Sequence, residues 1–116
     1  MEQRWNVVIT QGVSDWPISL PDETYQRVIA ALVLLKREGP ALGRPLVDSL
    51  KGSSLANMKE LRVGSRRIIF AFDMQRTAVL LMAGDKRGQW SHWYREAIPE
   101  AEKRFVAWME QEEDQR

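Results

Sequence analysis

Apolar residues change their spacing along the chain, and the changes divide it into elements. Trp5 to Thr10 (WNVVIT) is apolar and β-branched, which predicts a short buried strand. Ser14-Asp15-Trp16-Pro17 is turn material. From Pro21, with Asp22 and Glu23 in a first helical turn, Tyr25, Val28, Ile29, Leu32 and Leu35 recur at helical spacing. Arg27, Lys36, Arg37 and Glu38 fall elsewhere on that cylinder, and Gly39-Pro40 stops it. Ala41 to Asn57 is broken by Gly43, Pro45 and Gly52, leaving room for a turn of helix around Leu46 to Leu50.

Three strand-like runs follow: Lys59 to Val63, Arg66 to Phe72 and Thr77 to Ala83. The separators Gly64-Ser65 and Asp73 to Arg76 have hairpin length, so the pairing should be antiparallel. IIFAF and AVLLMA are almost solid apolar, as in central strands covered on both faces. After a polar loop, Gly84 to Gln89, a C-terminal helix should start near Ser91 or, after a break, at Pro99. Ala101, Phe105, Trp108 and Met109 give it an apolar face, and residues 111–116 are charged enough to fray. This order predicts a single α+β domain over residues 1–116, with a mainly antiparallel sheet and helices packed on it. Ile68, Phe70, Phe72, Val79, Leu81, Leu32 and Phe105 are its expected core.

Composition narrows the chemistry. The chain has 116 residues and no cysteine, so disulfides, thiolate catalysis and cysteine-bound zinc are excluded, and a reducing cytoplasm is the expected setting. The N-terminus does not read as a signal peptide, and the longest apolar stretch, Val28 to Leu35, is too short to span a membrane. The net charge of +1 hides a polarity. Residues 1–56 are neutral, residues 57–95 carry eight basic against three acidic side chains, and residues 96–116 carry three against seven. A basic middle segment suits a polyanion, although solvated strand surface would look the same.

No phosphate loop or nucleophile elbow is present, and His92 is the single histidine, so neither a metal site nor a cofactor is expected. What remains is a polar set on the β-region: Lys59, Glu60, Arg62, Arg66, Arg67, Lys86, Arg87, His92, Tyr94 and Arg95. Strand alternation puts Glu60 and Arg62 on one face and sends Arg66 and Arg67 to opposite faces. An inward guanidinium needs an anion, either an internal carboxylate such as Glu60 or Asp85, or an external phosphate. Trp90, Trp93 and Tyr94 among Lys86, Arg87 and Arg95 could stack bases while the cations track phosphates. The two tryptophans could equally pack the junction between the last strand and the C-terminal helix.

Several of these segments together resemble a known family. GPALGRPL (39–46), NMKELRV (57–63), RIIFAFD (67–73), GDK (84–86) and WYREAIP (93–99) look like the phage-derived HigB-like branch of the RelE/ParE toxins. The resemblance runs in order from Trp5 to about Met109. It implies a RelE-like fold with a curved, mainly antiparallel sheet, an N-terminal helical region and a C-terminal helix. It implies a cognate antitoxin, of helix-turn-helix type in this branch, in a toxin–antitoxin hetero-oligomer. It also implies the activity of a ribosome-dependent mRNA endoribonuclease, or alternatively that of a ParE-like gyrase poison. A degenerate toxin kept as an antitoxin-binding module is a third reading.

Carried over position by position, Arg67 falls where RelE-like nucleases keep a phosphate-stabilising arginine, and Arg62 on a second basic position. Tyr94, with His92 near it, matches an aromatic or histidine that positions the nucleotide. Glu60 is a departure, because the RelE type has a lysine there and here the lysine is Lys59. The general base is therefore open between Glu60 and His92. Lys59, Arg62, Lys86, Arg87 and Trp93 are the expected RNA contacts.

Overall fold

The computed structural model describes residues 5–14, 20–85 and 90–114. Most of the expected turn after Ser14, and Lys86 and Arg87 in the polar loop, lie outside them. Strand β1 (Asn6–Ile9) leads into a single helical turn, α1 (Gln11–Ser14), and then the long helix α2 (Asp22–Glu38). Strands β2 (Val47–Ser49), β3 (Met58–Val63), β4 (Arg66–Phe72) and β5 (Thr77–Asp85) precede helix α3 (Trp90–Asp114). The five strands form one sheet in the order β1-β5-β4-β3-β2. Neighbours are antiparallel except β1, which runs parallel to β5.

Alternation along the central strands builds two cores. Leu61 and Val63 of β3, Ile68 and Phe70 of β4 and Leu80 of β5 meet Val28, Ala31 and Leu35 of α2. The other face presents Met58, Ile69, Ala71, Val79 and Leu81 to Ala97, Ala101 and Phe105 of α3. This is why the middle runs carry no polar phase: both faces are covered. Of the expected core, Ile68, Phe70, Val79, Leu81 and Phe105 are buried, while Phe72 and Leu32 lie partly exposed beside the α2 core. Gly39 ends α2 at φ 57°, and a Cβ there would lie 2.1 Å from the Trp5 indole nitrogen. It therefore both caps the helix and seats Trp5.

One expectation is corrected. Val47 to Ser49 is an edge strand rather than a turn of helix: it pairs with Leu61 to Lys59 of β3, and the Leu46 carbonyl accepts from the Arg62 amide at 2.7 Å. Pairing with an existing strand edge overrides weak local propensity. Helix α3 starts at Trp90, beside the expected start at Ser91, and passes through Pro99 without the alternative break. Pro99 faces solvent, where water can satisfy the carbonyl its missing N–H leaves free, and the apolar face of α3 runs on past it.

Candidate active site

Glu60 sits on β3 directly opposite Ile69 of β4, and Arg62 sits opposite Arg67. Glu60, Arg62 and Arg67 therefore share the sheet face that carries Ile69, the face that α3 covers. The first turns of α3 add Tyr94 from above. Glu60 is buried at 6% exposure and is the hub of the group. One carboxylate oxygen accepts the Tyr94 hydroxyl. The other accepts Arg62 Nε at 3.2 Å and Arg62 Nη2 at 2.9 Å.

Arg67 lies behind this hub, buried at 6% exposure. Its Nη1 donates to the Gly64 carbonyl at 2.7 Å and to the Arg66 carbonyl at 2.8 Å, and its Nε stands 3.9 Å from Glu60 Oε1. That Nε has no hydrogen-bond partner. Arg66, on the other face, pairs with Asp85 across the β4–β5 ladder. The alternation expected for the two arginines holds, and each meets one of the two carboxylates anticipated from the sequence.

Charge continues outward from Arg62. Its Nη2 is 3.3 Å from Asp48 on β2, whose carboxylate is also 3.3 Å from Arg44 Nε. The Asp48 carboxyl is held below its usual range, first by the Ser49 amide and then by these arginines. Arg62 is pushed above its usual range chiefly by its hydrogen bond to Glu60. Tyr94 is pushed up to about 12, by burial first and then by the Glu60 hydrogen bond and charge. At neutral pH its phenol is therefore a proton donor.

The hub opens on a cleft of about 400 Å³ between the end of β2 and the start of α3. Asp48, Ser49, Lys51 and Ser91 line it together with Glu60, Arg62 and Tyr94. Its wall is stapled: Glu102 on α3 accepts Ser53 Oγ at 2.7 Å and the Ser54 amide at 2.6 Å, tying the β2–β3 loop to the helix. Asp48, Lys51 and Ser91 were not singled out from sequence. Asp48 lies within the segment read as helical and Lys51 just after it, and only the β2–β3 pairing reveals that Asp48 sits opposite Glu60.

Other expected site residues lie apart. Lys59 alternates to the opposite face of β3, with Leu61 and Val63. His92 is exposed on α3, with Nε2 3.7 Å from Glu96 one turn on. Trp93 packs edge-on against Tyr94 with ring centroids 5.0 Å apart, and it presses on Gly84, where a Cβ would lie 2.3 Å from its indole nitrogen. Lys86 and Arg87 are outside the described residues. Among the described residues no three His, Cys, Asp or Glu side chains are grouped to hold a metal, and no helix is long and apolar enough to cross a membrane.

The fold has solved counterparts. RelE of the archaeal RelE–RelB complex from Pyrococcus horikoshii superposes with a TM-score of 0.62 at 24% identity, covering 74% of this chain and 98% of that one. A mutant Escherichia coli RelE in the free state gives 0.63 at 14% identity, covering 87% and 97%. These likenesses define a RelE-like fold. The phage-derived Gp49-like protein family (DUF891) matches residues 15–106, and the chain belongs to it. It is 49% identical over 109 residues to HigB2 of Mycobacterium tuberculosis and 44% identical over 108 residues to HigB3 of the same organism, both provisionally named toxins. The matches take in 90% and 91% of this chain, with 54% of HigB2 and 95% of HigB3, so the chain spans about half the length of the first relative. The chain is thus HigB-like in sequence and RelE-like in fold, as its sequence segments indicate.

Proposed function

We propose that this chain is the toxin of a type II toxin–antitoxin pair, acting in the cytoplasm as a ribosome-dependent mRNA endoribonuclease and neutralised by a cognate helix-turn-helix antitoxin. The observation that carries this reading is the Glu60–Arg62–Tyr94 hub with Arg67 behind it, at the floor of an open cleft. The provisional toxin names of HigB2 and HigB3 support it, as does the solved RelE–RelB complex of a protein with this fold.

Metal-independent RNA cleavage needs a base for the 2′-hydroxyl, cations on the pentacoordinate phosphate and a proton donor. In the proposed reaction the 2′-oxygen attacks the adjacent phosphorus and its proton passes to Glu60. The bond to the 5′-oxygen breaks, leaving a 2′,3′-cyclic phosphate and, once that oxygen is protonated, a 5′-hydroxyl end. Arg62 is bound to Glu60 in the free protein, so a phosphate that draws its guanidinium away also releases a lone pair on the base. Arg67 supplies fixed positive charge at the rear, and the Tyr94 phenol can donate to a phosphate oxygen. Trp93 supports Tyr94 by packing, while Lys86, Arg87 and, from the far face, Lys59 add long-range attraction for the message.

The test is to induce the chain in cells and map message ends. Cleavage inside translated frames with 5′-hydroxyl ends is expected, together with growth arrest that an adjacent antitoxin gene relieves. Arg67→Ala should abolish both, since loss of a positioned transition-state charge costs roughly two to three powers of ten in rate. Arrest of DNA synthesis before protein synthesis, with messages intact, would overturn the nuclease reading in favour of a gyrase poison.

A further inference from the structure

The outer side of α2 carries an apolar line that stands exposed among the described residues. Val28, Ala31 and Leu35 bury the inner side against the sheet. Tyr25, Ile29 and Val33 stand one turn apart on the outer side, 38%, 38% and 50% exposed. Isolated exposed apolar residues are ordinary, but three aligned on one stripe are a contiguous patch. Seven residues before Ile29 on the same stripe stands Asp22, and seven after it stands Lys36, about 21 Å away along the helix at 1.5 Å per residue.

That stripe is symmetric about Ile29. We propose that it is a homodimerisation face, on which two copies of this chain pair their α2 helices antiparallel across a two-fold axis at Ile29. A two-fold interface requires that if residue i meets residue j, then j meets i. The α2 stripe satisfies this: Ile29 meets itself, Tyr25 meets Val33, and Asp22 meets Lys36. The acidic first turn of each helix thus faces the basic last turn of its partner. Reversal of charge about the midpoint favours a second copy over an unrelated helix, which would need no such symmetry. The cleft lies on the opposite face of the sheet, so pairing leaves it open. A single helix pair is small beside the roughly 1,200–2,000 Å² of stable interfaces, so the dimer should be reversible and concentration-dependent.

Sedimentation velocity on the full chain, from low to high micromolar concentration, tests this. The mean mass should rise from 13.5 kDa toward twice that value. Ile29→Glu should hold it at the monomer while circular dichroism shows an unchanged fold, because the side chain is exposed. Lys36→Glu, which sets like charges opposite each other twice, should weaken the dimer several-fold, and adding Asp22→Lys should restore it. A monomer at every concentration overturns the proposal. So does a dimer indifferent to Ile29→Glu, or one that Lys36→Glu weakens and the double exchange fails to rescue. If Ile29→Glu instead abolishes binding of the adjacent antitoxin while the wild-type mass stays monomeric, the stripe belongs to that partner and the proposal falls.

Discussion

The Tyr94 hydroxyl donates to Glu60 Oε1 across 34 residues of sequence and is a polar contact by which α3 meets the hub on β3. It joins two elements that also pack through apolar side chains, so the geometry of the cleft and the docking of α3 depend on one another.

Tyr94→Phe keeps the ring against Trp93 and deletes the hydroxyl. A hydrogen bond to a charged group contributes about 1.5–3 kcal/mol, and Tyr94 is only half-buried, so a loss near the low end is expected. Thermal unfolding of the variant should show a small drop in Tm, and message cleavage should fall by far more than that drop explains.

Stability should also decline in strong alkali. The neutral phenol is the form that donates to Glu60, and its pKa is raised from 10.0 to about 12 in the folded chain. In the unfolded chain the phenol ionises first, so this contribution is whole below pH 10 and is lost between about pH 10 and 12. Unfolding curves across that window should converge with those of Tyr94→Phe as pH rises. Parallel curves would show that the hydroxyl is not held as described.

Glu60→Gln and His92→Ala decide which residue takes the proton. The amide leaves the buried Arg67 charge uncompensated, at a cost of about 1–3 kcal/mol. It also removes the base, for a rate loss of roughly two to four powers of ten. His92 stands exposed beside Glu96, and its removal should leave cleavage of a reporter message unchanged. The reverse pattern would move the base to His92.

Gly84→Ala places a methyl group on the Trp93 indole. Overpacking of this kind costs about 1–3 kcal/mol, and here the displaced ring is the neighbour of Tyr94. Reduced Tm and altered tryptophan fluorescence are expected, with reduced cleavage. Arg66→Ala, which removes the pair with Asp85 on the other face, should leave the cleavage rate much less affected.

Helix α2 was legible from its continuous period, and strands β3, β4 and β5 from apolar runs bounded by short hairpin separators. Edge strand β2 was not: three residues among glycine and proline hold no period, and only the waiting edge of β3 makes them extended. Within the site, alternation placed Glu60 with Arg62 and split Arg66 from Arg67, which follows from the backbone alone. Alternation also places Lys59, one of the expected RNA contacts, on the face opposite Glu60. Asp48, Lys51 and Ser91 reach the cleft through tertiary pairing, for which a single sequence carries no periodic signal.

The parallel β1–β5 pair bears on synthesis of the chain. Asn6 aligns with Thr77 and Ile9 with Leu80, so the first strand made has no partner until most of the chain has been translated. Tyr94 comes later still. Such distant pairings fold slowly, and the hub cannot close before α3 has left the ribosome. The cleft is therefore among the last features of the chain to form, and a nascent chain lacks it for most of its own translation.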